Sequence, residues 1–226
     1  MSAAIREAVL VAREEGVHVV LCSSRSPKGI GLVQHQLGTV GDLMVAYQGG
    51  MVTTWDGCRL TVERQATVST DAVAQIEHQA LALGLSVSAY AELDWCCVRV
   101  DRAIERAAAI TREQPRTVSS LTEGSSAHKV LVIADEPDQL AALAVLEAEL
   151  PATVKASRSH VNYLEITAAH TDKGTGLLTA CEVLDIQPCD TVAVGDGFND
   201  LPMLAAAGHA IVMGQAPPSC EQRPIT

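Results

Sequence analysis

The sequence predicts an α/β fold: a doubly wound parallel-sheet core interrupted by an inserted α+β module. Short apolar runs rich in β-branched residues alternate with helical patterns at both ends of the chain. The middle mixes helices with hairpins instead. In both outer parts an apolar run stops at a polar turn, the place where open α/β sheets hold their ligands. On this pattern the core takes residues 1–57 and 160–226 and the inserted module takes 58–159.

The elements follow in order. Ile5, Ala8, Val9 and Ala12 keep helical spacing behind a capping Ser2, and Gly16 stops the helix. Val17 to Cys22 reads as a buried strand. Ser26-Pro27, a cap with a first-turn proline, opens a short helix. Met44–Tyr47 and Met51–Thr54 read as strands around Gly49-Gly50, and Asp56-Gly57 turns into Arg59–Val62. The module then shows a helix over 70–83, strands at 86–90 and 95–98, and a helix near 103–112. A Ser/Thr/Gly-rich loop over 114–126, a strand over 129–133, a helix over 137–150 and a strand pair at 153–156 and 163–167 follow. The core resumes with a helix over 173–184, a strand at Thr191–Val194, a helix at Leu201–Ala207 and a strand at Ala210–Met213.

The 226 residues suffice for a large domain or two small ones. The core must be aliphatic, because 48% of residues are apolar and only 3% are aromatic. Lys and Arg number 16 against 27 Asp and Glu, a formal charge of −11 that argues against nucleic acid or an anionic membrane surface as partner. A small phosphate ester stays open, since a pocket's local field can oppose the net charge. The seven cysteines are odd in number and form no C-x-x-C pair, which reads as reduced thiols in a cytoplasmic protein. The charged, helical first 16 residues do not read as a secretory leader. The longest stretch free of Asp, Glu, Lys and Arg, Leu201 to Cys220, holds three prolines and does not read as a membrane span. Nothing in the pattern sets an oligomeric state.

Three segments carry chemistry. Thr191-Val-Ala-Val-Gly195-Asp196-Gly-Phe-Asn199-Asp200 runs an apolar strand into a glycine turn with two carboxylates four residues apart. Hard oxygen donors at a strand's carboxyl end suit Mg²⁺, although an Asp200 that only caps the next helix gives the same pattern. Cys22-Ser23-Ser24-Arg25 ends the first apolar run; its hydroxyl and following backbone N–H groups can hold a phosphate oxygen, or the serine can be a plain cap. Asp172-Lys173-Gly174-Thr175-Gly176 places a lysine at a helix N-terminus, the unfavourable end of the dipole, which raises the question of what anion it faces.

The order of these segments resembles the haloacid dehalogenase (HAD) superfamily of phosphatases, and most closely its Cof-type branch with a large α+β cap. The likeness runs from the helix before Val17 to Gly214 and rests on Val19–Arg25, Tyr163-Leu-Glu-Ile166, Asp172–Gly176 and Gly195–Leu204. The resemblance implies roles. Ser23 is the hydroxyl on the transferring phosphoryl group, and Lys173 the base neutralising charge. Asp196 is the direct Mg²⁺ ligand, Asp200 its support through water, and Asn199, Ser24 and Arg25 lie by the phosphate. It also implies that Ser23, Lys173, Asp196 and Asp200 converge on one cleft between core and cap. Phosphoryl transfer needs charge neutralisation and alignment above all, which fits such a set.

The sequence departs from the family at motif one. The Asp-x-Asp-Gly-Thr that should end a central strand before the first helix, and supply nucleophile and acid/base, is absent; the chain starts at that helix. Ser24 also replaces a usual Gly, and Gln48-Gly49-Gly50 a usual Asn-Gly-Ala. The tail after Gly214, with Pro217-Pro218 in it, is short for the family. Cys22 or Ser23 could attack phosphorus, but no activating base lies near in sequence. With the central strand absent, the strands at Val17–Cys22 and Thr191–Val194 should either stand two ladder spacings apart or pair directly. The expected family function is Mg²⁺-dependent hydrolysis of a small sugar or nucleotide-related phosphate. The alternatives are a phosphate-binding remnant without turnover, a misassigned start, or a phosphomutase-type transferase of the same fold.

Overall fold

The computed structural model describes residues 2–123 and 126–216. The chain divides into two compact units, Met1–Gln65 with Asp172–Thr226, and Ala66–Thr171.

The first unit begins with α1 (Ala3–Glu14), β1 (Leu21–Cys22), α2 (Pro27–Leu37), β2 (Met44–Ala46), β3 (Met51–Trp55) and β4 (Leu60–Gln65). Ser2 caps α1 by accepting the Ile5 N–H, and Ser26 caps α2 by accepting the Gly29 N–H ahead of Pro27. These strands make one sheet in the order β1-β2-β3-β4. β1 runs parallel to β2, and the β2-β3-β4 meander is antiparallel.

The second unit carries α3 (Thr70–Ala82), β5 (Ser86–Ala91), β6 (Asp94–Cys97), α4 (Arg102–Thr111), β7 (Arg116–Thr117), β8 (Lys129–Ile133), α5 (Gln139–Ala148), β9 (Val154–His160) and β10 (Tyr163–Ala168). Its six strands form a sheet in the order β7-β6-β5-β8-β10-β9. Alternate residues Val87, Ala89, Val130, Val132, Leu164 and Ile166 bury one face against Ile76 of α3 and Leu143 and Leu146 of α5. Beside β8, His128 is buried and its Nδ1 accepts the Glu92 N–H at 3.1 Å.

The chain then returns to the first unit with α6 (Lys173–Leu184), β11 (Val192–Gly195), α7 (Leu201–Ala206) and β12 (His209–Val212). β11 and β12 pair in parallel as a sheet of their own. Ala193 faces inward onto Met203 and Leu204 of α7, with Cys22 and Leu177 packed against the same cluster. Val192 and Val194 point the other way and are exposed.

Several expectations need correction. The Val17–Cys22 run forms a ladder only at Leu21 and Cys22, opposite Met44 and Val45; apolar, β-branched composition cannot make a strand without a pairing partner. Beside Val17–Val20 lies a cavity of about 570 Å³, lined in part by Leu10, Leu43 and Leu184. β1 and β11 do not pair with each other. The unit boundaries fall later than 57 and 160, because β4 folds back onto β3 and β10 pairs with β8 inside the second unit. The Pro217 tail and Cys220 lie outside the described residues. The six described cysteines are free, and among the described residues no helix is long and apolar enough to cross a membrane.

Candidate active site

The sequence-selected residues all belong to the first unit and sit on its strand ends and helix starts. Ser23 follows β1 directly. Its N–H continues the ladder to the Val45 carbonyl at 2.9 Å, and its Oγ accepts the Arg25 N–H at 3.2 Å. That bond folds the Ser23–Arg25 loop back on itself and leaves the hydroxyl proton free to donate. Ser24 is half-buried in the same loop, and Arg25 is exposed.

Lys173 is the first residue of α6. Asp172 caps this helix by accepting the Thr175 N–H at 2.9 Å, and the Thr175 hydroxyl accepts the Asp172 N–H at 3.0 Å. The anion that Lys173 faces is Asp200: its Nζ donates to Asp200 Oδ1, with both side chains under a tenth exposed. Asp200 does not cap α7 with its side chain. Its Oδ2 turns back to accept the N–H groups of Asp196 at 3.0 Å and Gly197 at 2.8 Å, closing the loop after β11. Burial pushes the Asp200 carboxyl up, but the Lys173 hydrogen bond, the Gly197 N–H, the Lys173 charge and the Asp196 N–H outweigh it. The net pKa lies below the ordinary value, so Asp200 is a carboxylate at neutral pH.

With Asp200 so committed, Asp196 keeps an exposed carboxylate whose Oδ2 accepts from the Gln215 amide at 3.1 Å. Among the described residues no group of three or more His, Cys, Asp or Glu side chains converges as a metal cage. A cation that keeps most of its water, as Mg²⁺ does, needs only one or two protein carboxylates, and Asp196 fits that requirement.

The Ser23 loop and the Asp196–Asp200 loop are joined through a residue that sequence reasoning noted only as a departure. Gln48 donates its N–H to the Ser23 carbonyl at 3.1 Å, and its Oε1 accepts from Asn199 Nδ2 at 3.3 Å. The sequence signal was the Gly49-Gly50 pair after a strand, which marks a turn but not its partner. Cys22 packs under this arrangement. Burial pushes its thiol up to about 12 against the lowering effect of Lys173, with Asp200 and Asp172 adding to the rise, so it is no thiolate nucleophile.

A family model described as haloacid dehalogenase-like hydrolase matches residues 1–223. A phosphoglycolate phosphatase of Methanopyrus kandleri is 56% identical over 45 residues, 20% of this chain and 19% of that protein. An HMP-PP phosphatase of Yersinia pseudotuberculosis is 32% identical over 95 residues, 42% of this chain and 35% of that protein. The first three curated relatives are matched over 37%, 19% and 26% of their own length, well under two thirds. A crystal structure of a haloacid dehalogenase-like hydrolase from Bacteroides thetaiotaomicron superposes with a TM-score of 0.85 at 23% identity, covering 98% of this chain and 84% of that one, and so shares the fold. On the match to residues 1–223, the chain belongs to the haloacid dehalogenase-like hydrolase family.

Proposed function

We propose that the chain carries the phosphate-binding and metal-binding half of a phosphatase site, acting on a small phosphorylated metabolite. The observation that carries this reading is the buried Lys173–Asp200 pair beneath the exposed Asp196 carboxylate, on the loop that Gln48 ties to Ser23. The Lys173 ammonium has three N–H donors and Asp200 takes one, which leaves positive charge for a phosphoryl oxygen. The Ser23 hydroxyl donates to a second oxygen, and Asn199 keeps one amide N–H beyond its bond to Gln48. Ser24 and Arg25 flank the same oxygens, Arg25 as an exposed cation. Asp196 would hold Mg²⁺, which when bound supplies charge neutralisation at the phosphoryl group. Asp200 positions that loop and aims the Lys173 ammonium.

We place the attacking group outside this set, because burial holds the Cys22 thiol neutral and the given sequence contains no Asp-x-Asp-Gly-Thr. β1 and β11 stand in separate sheets and Val192 and Val194 of β11 are exposed, which supports docking of an aspartate-bearing strand beside β11. With such a strand the reading is hydrolysis of a sugar or nucleotide-related phosphate through an aspartyl phosphate, in the cytoplasm. Without it the chain is a phosphate-binding protein that does not turn over. Relatives named for phosphoglycolate and HMP-PP phosphatase activity are consistent with a small ester but do not choose one.

Fusing an apolar strand ending in Asp-x-Asp-Gly-Thr ahead of Ser2 tests this reading, with para-nitrophenyl phosphate and Mg²⁺ as the assay. Turnover by the fusion, lost in Asp196→Asn, is expected. An inactive fusion that also fails to bind inorganic phosphate overturns the reading. Mg²⁺-dependent turnover by the unfused chain places the nucleophile among the residues already present.

A further inference from the structure

We propose that Gln48 is a positioning residue of this site, and that its length is retained at the expense of backbone comfort. The inference rests on the phosphate-site reading above and adds to it a residue that touches no substrate. Tyr47, Gln48 and Gly49 form a single tight turn at the end of β2 with φ of 54°, 62° and 96°. Left-handed backbone is unfavourable for a residue with a Cβ, and tolerated best by glycine, asparagine and aspartate. Two consecutive non-glycine residues hold it here, both buried.

The turn touches every segment of the site. The Tyr47 N–H donates to the Arg25 carbonyl at 3.1 Å and the Gln48 N–H to the Ser23 carbonyl at 3.1 Å, so its backbone sets the Ser23–Arg25 loop. Gly49 lies against the start of α6: a Cβ there would fall on the Asp172 carbonyl, immediately before Lys173. The Gln48 side chain reaches the third segment, where it accepts from Asn199 at 3.3 Å.

The choice of residue is what separates positioning from simple packing. Asparagine relieves the left-handed strain but is one methylene shorter. Withdrawing the oxygen by about 1.5 Å breaks a 3.3 Å bond. Stability and reach therefore pull in opposite directions at position 48. A residue that served only the fold would show no such opposition.

The test uses the full chain in Mg²⁺ buffer, with inorganic phosphate as the probe and urea unfolding alongside. Gln48→Asn is expected to unfold at an equal or higher urea midpoint while binding phosphate about three- to tenfold more weakly, the range for one lost hydrogen bond. Gln48→Gly should do the same. Asn199→Ala, which also removes the amide placed against the phosphate, should weaken binding at least as much, and Gln48→Asn/Asn199→Ala should be no weaker than Asn199→Ala alone. Wild-type affinity in Gln48→Asn, or a joint loss of stability and affinity in both Gln48→Asn and Gln48→Gly, overturns the proposal. If the wild-type chain binds no phosphate, the phosphate-site reading fails. The Asn199 side-chain amide resonances then decide the tether: a shift in Gln48→Asn supports it and unchanged resonances refute it.

Discussion

Lys173 and Asp200 pair out of solvent although one opens α6 and the other ends the loop after β11. The two ends of this pair are not equivalent. Asp200 has two backbone N–H donors besides Lys173, whereas Asp200 is the ion partner that compensates Lys173. Asp200→Asn leaves a buried ammonium uncompensated and is expected to cost about 3–5 kcal/mol. Lys173→Met leaves a carboxylate still held by two amides and should cost less, about 1–3 kcal/mol. Urea unfolding of the two variants checks the order.

His128 should make the second unit acid-sensitive. Burial pushes its imidazole down to about 4, and its Nδ1 must stay unprotonated to accept the Glu92 N–H. The unfolded chain takes up the proton near 6.5 and the folded one only near 4. The contribution is therefore full above pH 6.5 and is lost as pH falls toward 4, amounting to about 3 kcal/mol. Unfolding midpoints across that range should fall for the wild type and flatten for His128→Gln.

Two glycines with positive φ should respond differently to alanine. Gly16, with φ of 82°, has open space where a Cβ would go, and Gly16→Ala should cost about 1 kcal/mol from backbone conformation alone. Gly49→Ala adds a clash with the Asp172 carbonyl and should cost about 2–5 kcal/mol. Thermal melts of both variants separate the two.

Thiol reactivity should follow burial and charge. Cys58 and Cys189 are exposed, whereas Cys22 is held as a neutral thiol up to about 12. Peptide mapping after brief alkylation at pH 8 should find Cys58 and Cys189 modified and Cys22 only after unfolding.

Much of this was legible beforehand because the signals are local. An apolar alternation running into Gly195-Asp196 placed β11 and its loop, and a lysine at the wrong end of a helix dipole pointed to a nearby anion, which is Asp200. What was not legible depends on partners distant in sequence. Val17–Val20 has strand composition but, among the described residues, no neighbour that completes a ladder. The Asp56-Gly57 turn marks a hairpin into Arg59–Val62, and β4 does pair onto β3, so a module boundary at 58 cuts that hairpin. Gln48 and Asn199 are 151 positions apart, and no local pattern announces a side-chain bond over that span.

β1 and β11 belong to separate sheets, so the Ser23 hydroxyl and the Asp196 carboxylate stand on strands with no common backbone ladder. Side chains bridge them: Cys22 against the cluster of Ala193, Met203 and Leu204, and Gln48 to Asn199. Such joints open by rotamer and small rigid shifts rather than by breaking a row of amide bonds. On the proposed function, anion binding across the seam should therefore register in tempo more than in form: amide hydrogen exchange at Ser23, Asp196 and Gly197 is expected to slow while the secondary structure around them stays as it is.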